Sequence, residues 1–159
     1  MIGSPSTILV YNRAVKAVQG RAKMSKYFMY FDELPKEKFA VITSAFGHKV
    51  RGDQIVVSMA QKEPGTGSKT HTHKVEQFNY VVSGEMLAVV DDEERRVTAG
   101  GLIHIPIGTP HSFIAVGKEP AVFLNIKHKA EDMGGYPVDG VYDTHAVIDL
   151  KDEKDVPSC

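Results

Sequence analysis

The sequence predicts an all-β fold, an antiparallel sandwich or barrel with few or no helices. Seven strand-like runs, each bounded by Gly, Pro or Asp, follow one another within about sixty residues. No helical periodicity is sustained between them, and their short connections exclude parallel βαβ units. The 14 Gly and 8 Pro of the chain also suit many short strands joined by turns.

The first part of the chain gives weaker signals. Residues 6–11, STILVY, have the composition of a short strand, and the basic stretch 13–26 is a turn, a short helix, a mobile arm or a strand that extends a sheet. Residues 27–35, YFMYFDELP, predict a strand that enters a turn at Pro35. Two further strands, KFAVITSAFG and DQIVVSMAQ, are predicted on either side of a break at residues 47–53.

The clearest signals come next. The seven runs are KTHTH, EQFNYVVSG, EMLAVVD, ERRVTAG, LIHIP, HSFIAV and PAVFLNIKH. After His128 several glycines predict a loop or an extended segment, which either lies over a pocket as a lid or simply packs on the barrel. The predicted organisation is therefore an N-terminal strand or arm at 1–26, a single barrel at 27–128 and a C-terminal wrap or tail at 129–159.

Composition narrows the function. The chain has 159 residues, 42% hydrophobic and 25% charged, which is typical of one soluble globular domain. The 19 basic and 20 acidic residues leave a net charge of -1, so neither nucleic acid nor a membrane is an expected partner. The one cysteine, Cys159, excludes an intrachain disulfide. No apolar run has signal-peptide length, so a cytoplasmic location is expected.

Four residues form a candidate metal site. His71 and His73 are two apart and Gln77 is four further on, so all three can point to one face of a sheet. A third imidazole, His111, follows a Pro/Gly turn and begins another predicted strand. Three imidazoles and one amide oxygen suit a divalent first-row transition metal such as Fe, Zn, Ni or Mn, with an open position for substrate or water.

The spacing of these residues resembles the cupin superfamily, whose motifs read G-x5-H-x-H-x3,4-E-x6-G and G-x5-P-x-G-x2-H-x3-N. The chain matches every spacing, with Gly65, His71, His73, Gln77 and Gly84 in the first motif and Gly100, Pro106, Gly108 and His111 in the second. Fifteen residues, Glu85 to Ala99, separate the motifs, as in small bacterial single-domain members. The resemblance implies a single cupin barrel, a jelly-roll-like sandwich.

Two positions depart from the family pattern. Gln77 stands where the family usually has Glu, and Ala115 stands where the second motif ends in Asn. Glu76 lies on the opposite face of a regular strand, so Gln77 is the better ligand candidate. The string HTHKVEQ is similar to a variant found in small cupins that open unsaturated uronate rings, where the Gln is a metal ligand. This resemblance covers residues 27–127.

Asn125 and Lys127 are the catalytic candidates. In the uronate branch, the corresponding strand presents an acidic residue and an aromatic residue two apart. Asn125 cannot act as a carboxylate base and Lys127 cannot replace an aromatic ring, so the resemblance does not carry the uronate activity to this chain. Polar residues at alternate positions of an apolar strand predict one wet face, which is either a pocket or the solvent surface. In a pocket, Lys127 would bind an anionic substrate and stabilise an enolate or carboxylate.

Other residues are candidates for the substrate pocket. Asn79 shares the strand parity of Gln77, and Phe113 shares that of His111. Met59 and Phe123 are further candidates, with ordinary core packing as the alternative. His104 is interpreted as a hydrogen-bonded or interface histidine rather than a ligand.

These residues predict a metal-dependent enzyme that acts on a small oxygen-rich molecule, a carbonyl, acid or sugar derivative, by Lewis-acid isomerase, lyase or hydrolytic chemistry. One alternative is an Fe(II)-dependent dioxygenase that cleaves a diketone- or catechol-like substrate. Another is a cupin that binds a small ligand without turnover. Similar small cupins commonly pair through an extra N-terminal strand, so the resemblance also implies a homodimer, with residues 6–11 as the candidate for an exchanged strand.

Overall fold

The computed structural model describes residues 23–132 and 134–143. The chain divides into two compact units, residues 1–30 and 31–159. In the first unit, the described segment 23–30 contains a local turn in which Ser25 Oγ accepts hydrogen bonds from the backbone N–H groups of Tyr27 and Phe28. The strand predicted at residues 6–11, and with it the predicted strand exchange, lies outside the described residues.

All the strands of the described residues lie in the second unit. Eleven are present: β1 Glu37–Ala40, β2 Thr43–Arg51, β3 Ile55–Lys62, β4 His71–Thr72, β5 Gln77–Ser83, β6 Glu85–Val90, β7 Glu93–Thr98, β8 Leu102–Ile105, β9 His111–Ala115, β10 Ala121–His128 and β11 Tyr136–Pro137. Two 3₁₀ turns, Phe31–Glu33 and Lys129–Glu131, are the helical segments of the described residues. None of the described helices is long and apolar enough to span a membrane.

The strands form two antiparallel sheets. One has six strands in the order β1-β2-β3-β10-β5-β8, and the other has five in the order β11-β4-β9-β6-β7. Strands β2, β3, β5 and β9 alternate between buried and less buried residues, as expected when one face of each sheet packs on a core. The core includes Val81, Met86, Ile105, Phe113 and Phe123. The prediction of an all-β antiparallel fold is confirmed.

Two predicted strands differ from the structure. Residues 27–35 do not form a strand: Phe31–Glu33 is a 3₁₀ turn closed by a hydrogen bond from the Leu34 N–H to the Phe31 carbonyl. The side chains of Tyr27 and Phe28 are also exposed, so burial does not favour an extended strand there. Further on, KFAVITSAFG is divided between β1 and β2 by a turn at Val41 and Ile42.

The break predicted at residues 47–53 is also misplaced. Strand β2 runs through Gly47 to Arg51, and only Gly52, Asp53 and Gln54 connect it to β3. Gly47 is needed within the strand because a Cβ there would lie 2.0 Å from the carbonyl oxygen of Met59 on β3. This glycine therefore permits a close approach of two strands and does not end one.

The segment after β10 forms a strap, defined here as residues 129–132 and 134–143. Its β11 pairs with β4, with Tyr136 opposite Thr72 and Pro137 opposite His71. Ion pairs also hold the strap to the sheets: Lys69 contacts Asp139 at 2.9 Å and Asp143 at 2.8 Å. The strap therefore reaches the short strand that carries the first histidine of the candidate site.

Candidate metal centre

Three histidines meet in the interior between the two sheets. His71 begins β4 and His111 begins β9, and the two residues are directly paired in the sheet. His73 follows β4. One ring nitrogen from each imidazole lies within 4.8 Å of those of the other two, and all three side chains are buried. The fold thus brings together three of the four residues predicted as metal ligands, two from the first motif and one from the second.

Hydrogen bonds fix the orientation of all three imidazoles. Each Nδ1 faces an oxygen that can only accept: His71 the Lys69 carbonyl at 2.7 Å, His111 the Thr109 carbonyl at 2.9 Å, and His73 the Glu131 carboxylate at 3.1 Å. Each Nδ1 must therefore carry the proton, which leaves the Nε2 lone pairs available. Within the described part of the chain, the buried Nε2 of His111 has no hydrogen-bond partner.

Gln77 lies beside the histidines at the start of β5. Its side chain is buried and lines a cavity together with His71 and His73. Its Nε2 donates to Oδ1 of Asn79 at 3.4 Å, and Asn125 Nδ2 donates to the same oxygen at 2.9 Å. The Gln77 carbonyl oxygen thus remains as the atom that can serve as a ligand. Among the described residues, the buried Nδ2 of Asn79 has no acceptor.

The catalytic candidates of the sequence analysis lie opposite these amides. In the pairing of β10 with β5, Asn125 is directly across from Asn79 and Lys127 is directly across from Gln77. Both line the cavity, so their wet face is the pocket and not the solvent surface. Phe113 and Phe123 are buried and also line the cavity, and the Phe113 ring centroid lies 5.5 Å from that of His111.

Met59 does not line this cavity, contrary to the prediction. Side chains alternate along β3, and Val56, Ser58, Ala60 and Lys62 are the buried positions on the inner face. Met59 points to the other face, where it lines a separate cavity with Phe31, Lys36 and Val122. The error arose from its apolar character, which favours burial without indicating the side of the strand.

The cavity is small, and a larger one shares part of its lining. Its volume is about 60 Å³, which is room for a few water molecules or a very small ligand. A second cavity of about 310 Å³ shares Phe39, Ala40, Ile42 and Gly134 with the first. The smaller, inner cavity and the larger, outer one thus have residues of β1 and of the strap in common.

Three lysines line the inner cavity, and only Lys127 among them is a residue that the sequence analysis identified. Lys49, Lys62 and Lys127 are at most 8% exposed. Burial lowers the pKa of Lys62 to about 7 and of Lys127 to about 8, and it also lowers the pKa of Lys49. The alternation of β3 could have identified Lys62, because Ser58, Ala60 and Lys62 are two residues apart and share one face of the strand.

The strap contributes two features that sequence patterns did not indicate. The carboxylate of Glu131 accepts hydrogen bonds from His73 Nδ1 and from the backbone N–H of Lys74. Gly135 lies so close to the site that a Cβ there would be 2.4 Å from Cδ2 of His71 and 2.8 Å from Cε1 of His73. The strap therefore covers the histidines as well as packing on the sheets.

His104 lies away from the cavity. Its exposed ring stacks on Phe78 with centroids 4.7 Å apart, and its Nε2 is 2.7 Å from a carboxylate oxygen of Glu76. These contacts agree with the interpretation of His104 as a hydrogen-bonded or interface histidine rather than a ligand. Glu76, which directly precedes β5, is exposed, whereas Gln77, the first residue of β5, is buried.

We expect the metal-free protein to lose stability below about pH 6.5. Burial is the main cause that lowers the pKa of His71 to about 3, of His73 to about 2 and of His111 to about 4. Between these values and the ordinary value of 6.5, the unfolded chain binds protons that the folded chain does not. The free energy of unfolding therefore falls with falling pH, by about 1.4 kcal/mol per pH unit for each imidazole.

Urea denaturation of metal-free protein at pH 5, 6, 7 and 8 measures this dependence. We expect a steep fall between pH 6 and pH 5 and little contribution of the imidazoles above pH 7. An unfolding free energy that stays constant from pH 7 to pH 5 would contradict the buried, neutral state of the three rings.

The donor set fits a transition metal. Three buried, neutral imidazoles converge with their Nε2 atoms, and an amide oxygen is adjacent. The Glu131–His73 hydrogen bond is the carboxylate–histidine arrangement that commonly orients metal-binding imidazoles. His71, His73, His111 and Gln77 are thus the residues that could hold one divalent ion, and the donor set alone leaves its identity open.

Comparisons with known proteins agree with the fold. Residues 59–127 match the family model of the Cupin domain, which includes all four candidate ligands. An uncharacterized protein of Methanocaldococcus jannaschii is 36% identical over 70 residues, 42% of this chain and 56% of that protein. The matched segment therefore spans about half the length of this curated relative.

Solved structures show the same architecture at low identity. An RmlC-like cupin from Shewanella frigidimarina superposes with a TM-score of 0.58 and 18% identity over 65% of this chain and 91% of its own. The polyketide cyclase RemF from Streptomyces resistomycificus has a TM-score of 0.58 and 24% identity over 66% of this chain and 80% of its own. At these identities the likeness shows the fold alone.

Proposed function

We propose that this chain, which belongs to the cupin superfamily, is a metal-dependent enzyme that acts on a small oxygen-rich molecule such as a carbonyl compound, an acid or a sugar derivative. One observation carries the proposal: three buried imidazoles, each oriented through Nδ1, bring one ring nitrogen apiece within 4.8 Å of one another, and two of them, His71 and His73, line a cavity together with amide and ammonium groups. His71, His73 and His111 would hold the metal, with Gln77 as the fourth ligand.

A divalent ion at these residues would supply Lewis-acid polarisation of a substrate oxygen. The chain's own residues supply orientation and charge. The Nδ2 group of Asn79 is a buried donor without a partner among the described residues, so it can donate to a substrate oxygen in the cavity. Lys127 can stabilise negative charge that develops on the substrate, and Phe113 and Phe123 limit the access of water.

The lining of the cavity favours isomerase, lyase or hydrolytic chemistry as the reaction class. Such reactions pass through charged or enolate-like species, which amide and ammonium donors stabilise. Three imidazoles also suit Fe(II), so a dioxygenase acting on a diketone- or catechol-like substrate is the second candidate.

The metal and the oxygen requirement distinguish these functions. The protein is purified without chelator, its metal content is measured by elemental analysis, and O2 uptake is followed with a panel of diketones, catechols and uronates. We expect about one zinc, nickel or manganese ion per chain and turnover that is independent of oxygen. Iron with substrate-dependent O2 uptake would favour the dioxygenase, and ligand binding without any product would favour a non-catalytic binding protein.

A further inference from the structure

Lys62 is a buried lysine of the cavity without an anionic partner among the described residues. Its side chain, at the end of β3, is 2% exposed. Its Nζ donates to Oγ1 of Thr43 at 2.8 Å, and no carboxylate in the described part of the chain forms an ion pair with it. Buried lysines usually pair with a carboxylate or extend the ammonium group to solvent, and Lys62 does neither.

The other two lysines of the cavity have different surroundings. Lys49 faces two carboxylates, since its Nζ lies 3.2 Å from Asp132 of the strap and 3.9 Å from Glu37 of β1. Lys127 Nζ lies 3.5 Å from the carbonyl oxygen of Gly134. The lining thus holds three ammonium groups against the one carboxylate of Asp132. A bound divalent ion would increase this positive charge, because all four candidate ligands are neutral.

Lys62 lines the same cavity as His71, His73 and Gln77, three of the four candidate metal ligands. An uncompensated cation beside a site for a second cation costs stability in the empty protein. The same arrangement strengthens the binding of an anion, because the low-dielectric interior increases the attraction.

We propose that Lys62 is the anion-binding group of the cavity and that the substrate is a small organic carboxylate, whose charge faces Lys62 while its other oxygen atoms face the histidines. The inference rests on the metal-dependent function proposed above, since it names the substrate class of the same site. It assigns to Lys62 the role of selecting charged over neutral substrates, whereas Lys127 lies directly across from Gln77 in the sheet.

Malonate and its neutral analogue malonamide test this selection. Both are titrated by calorimetry into metal-free protein and into protein reconstituted with Zn²⁺. In both forms we expect the wild type to bind malonate at least about ten times more tightly than malonamide. Lys62→Met should remove most of this preference, lowering malonate affinity about tenfold or more without changing malonamide affinity or zinc content.

Lys118→Met is the matched control, because it removes one positive charge at an exposed position outside the cavity lining. It should leave the malonate affinity unchanged. Equal malonate affinity of Lys62→Met and the wild type would overturn the inference. If the variant does not fold, the wild-type comparison decides, since equal affinities for malonate and malonamide would also overturn it.

The two proposals fail separately in this experiment. Zinc content of the wild type tests the metal site without reference to any anion. A protein that retains no metal but prefers malonate through Lys62 would keep the anion site and refute the metal-dependent function. A protein that retains zinc but does not distinguish malonate from malonamide would keep the metal site and refute the anion site.

Discussion

Replacing His73 by Ala will abolish metal retention and any metal-dependent turnover. The change removes one of three imidazoles and also the donor that contacts Glu131. Loss of a carboxylate partner alone commonly reduces metal affinity 10- to 100-fold, so loss of the ligand itself should cost at least about a hundredfold. Metal titration and elemental analysis of the purified variant measure the effect.

His104→Ala is the control for this experiment. It removes an imidazole that lies on the surface against Phe78 and Glu76, outside the cavity. Its metal content should equal that of the wild type, and thermal melts of both metal-free variants should show folded protein. Full metal retention in folded His73→Ala would refute the assignment of the site.

Replacing Gly135 by Ala will reduce metal affinity by at least about tenfold, although Gly135 carries no ligand atom. The new Cβ would lie 2.4 Å from Cδ2 of His71, 2.8 Å from Cε1 of His73 and 3.0 Å from the carbonyl oxygen of Thr72. Contacts this short require either the imidazoles or the strap to move, and the carbonyl of β4 cannot yield easily. Metal titration measures the first consequence, and hydrogen exchange of residues 134–143 measures displacement of the strap.

Gly117→Ala provides the matched substitution. The backbone of Gly117 does not adopt a left-handed φ, and the nearest atom to an added Cβ would be 3.6 Å away, which is an ordinary contact. We expect wild-type metal affinity and wild-type exchange of the strap. Unchanged metal affinity in Gly135→Ala would mean that the strap does not constrain the histidines.

The sequence predicted the class of fold and three histidines of one site because both depend on short-range regularities. Strand alternation and fixed motif spacing place His71, Gln77 and Asn79 on the inner side, and the strand pairing then sets Asn125 and Lys127 opposite the last two. The same alternation shows why Met59 lies elsewhere. Parity depends on where a strand begins and on which face is buried, and apolar character alone did not reveal this.

The strap could not be predicted in the same way. Glu131 follows β10 by three residues but contacts His73, which is 58 positions earlier in the chain, and no periodic pattern relates the two. In the sequence, Gly135 resembles an ordinary turn residue. The need for glycine at this position becomes clear only from the nearby rings of His71 and His73. The break predicted at Gly47 was misplaced for a similar reason, because this glycine accommodates the close backbone of the neighbouring strand β3.

The position of Glu131 has a thermodynamic consequence. One carboxylate bonds both to the His73 ring and to the backbone of Lys74, so docking of the strap and ordering of a histidine are linked equilibria. By reciprocity, any factor by which the docked strap raises the affinity for a metal is also the factor by which the metal favours docking. Loading the site would therefore protect the strap from proteases, and cleavage of the strap would weaken the site by the same free energy.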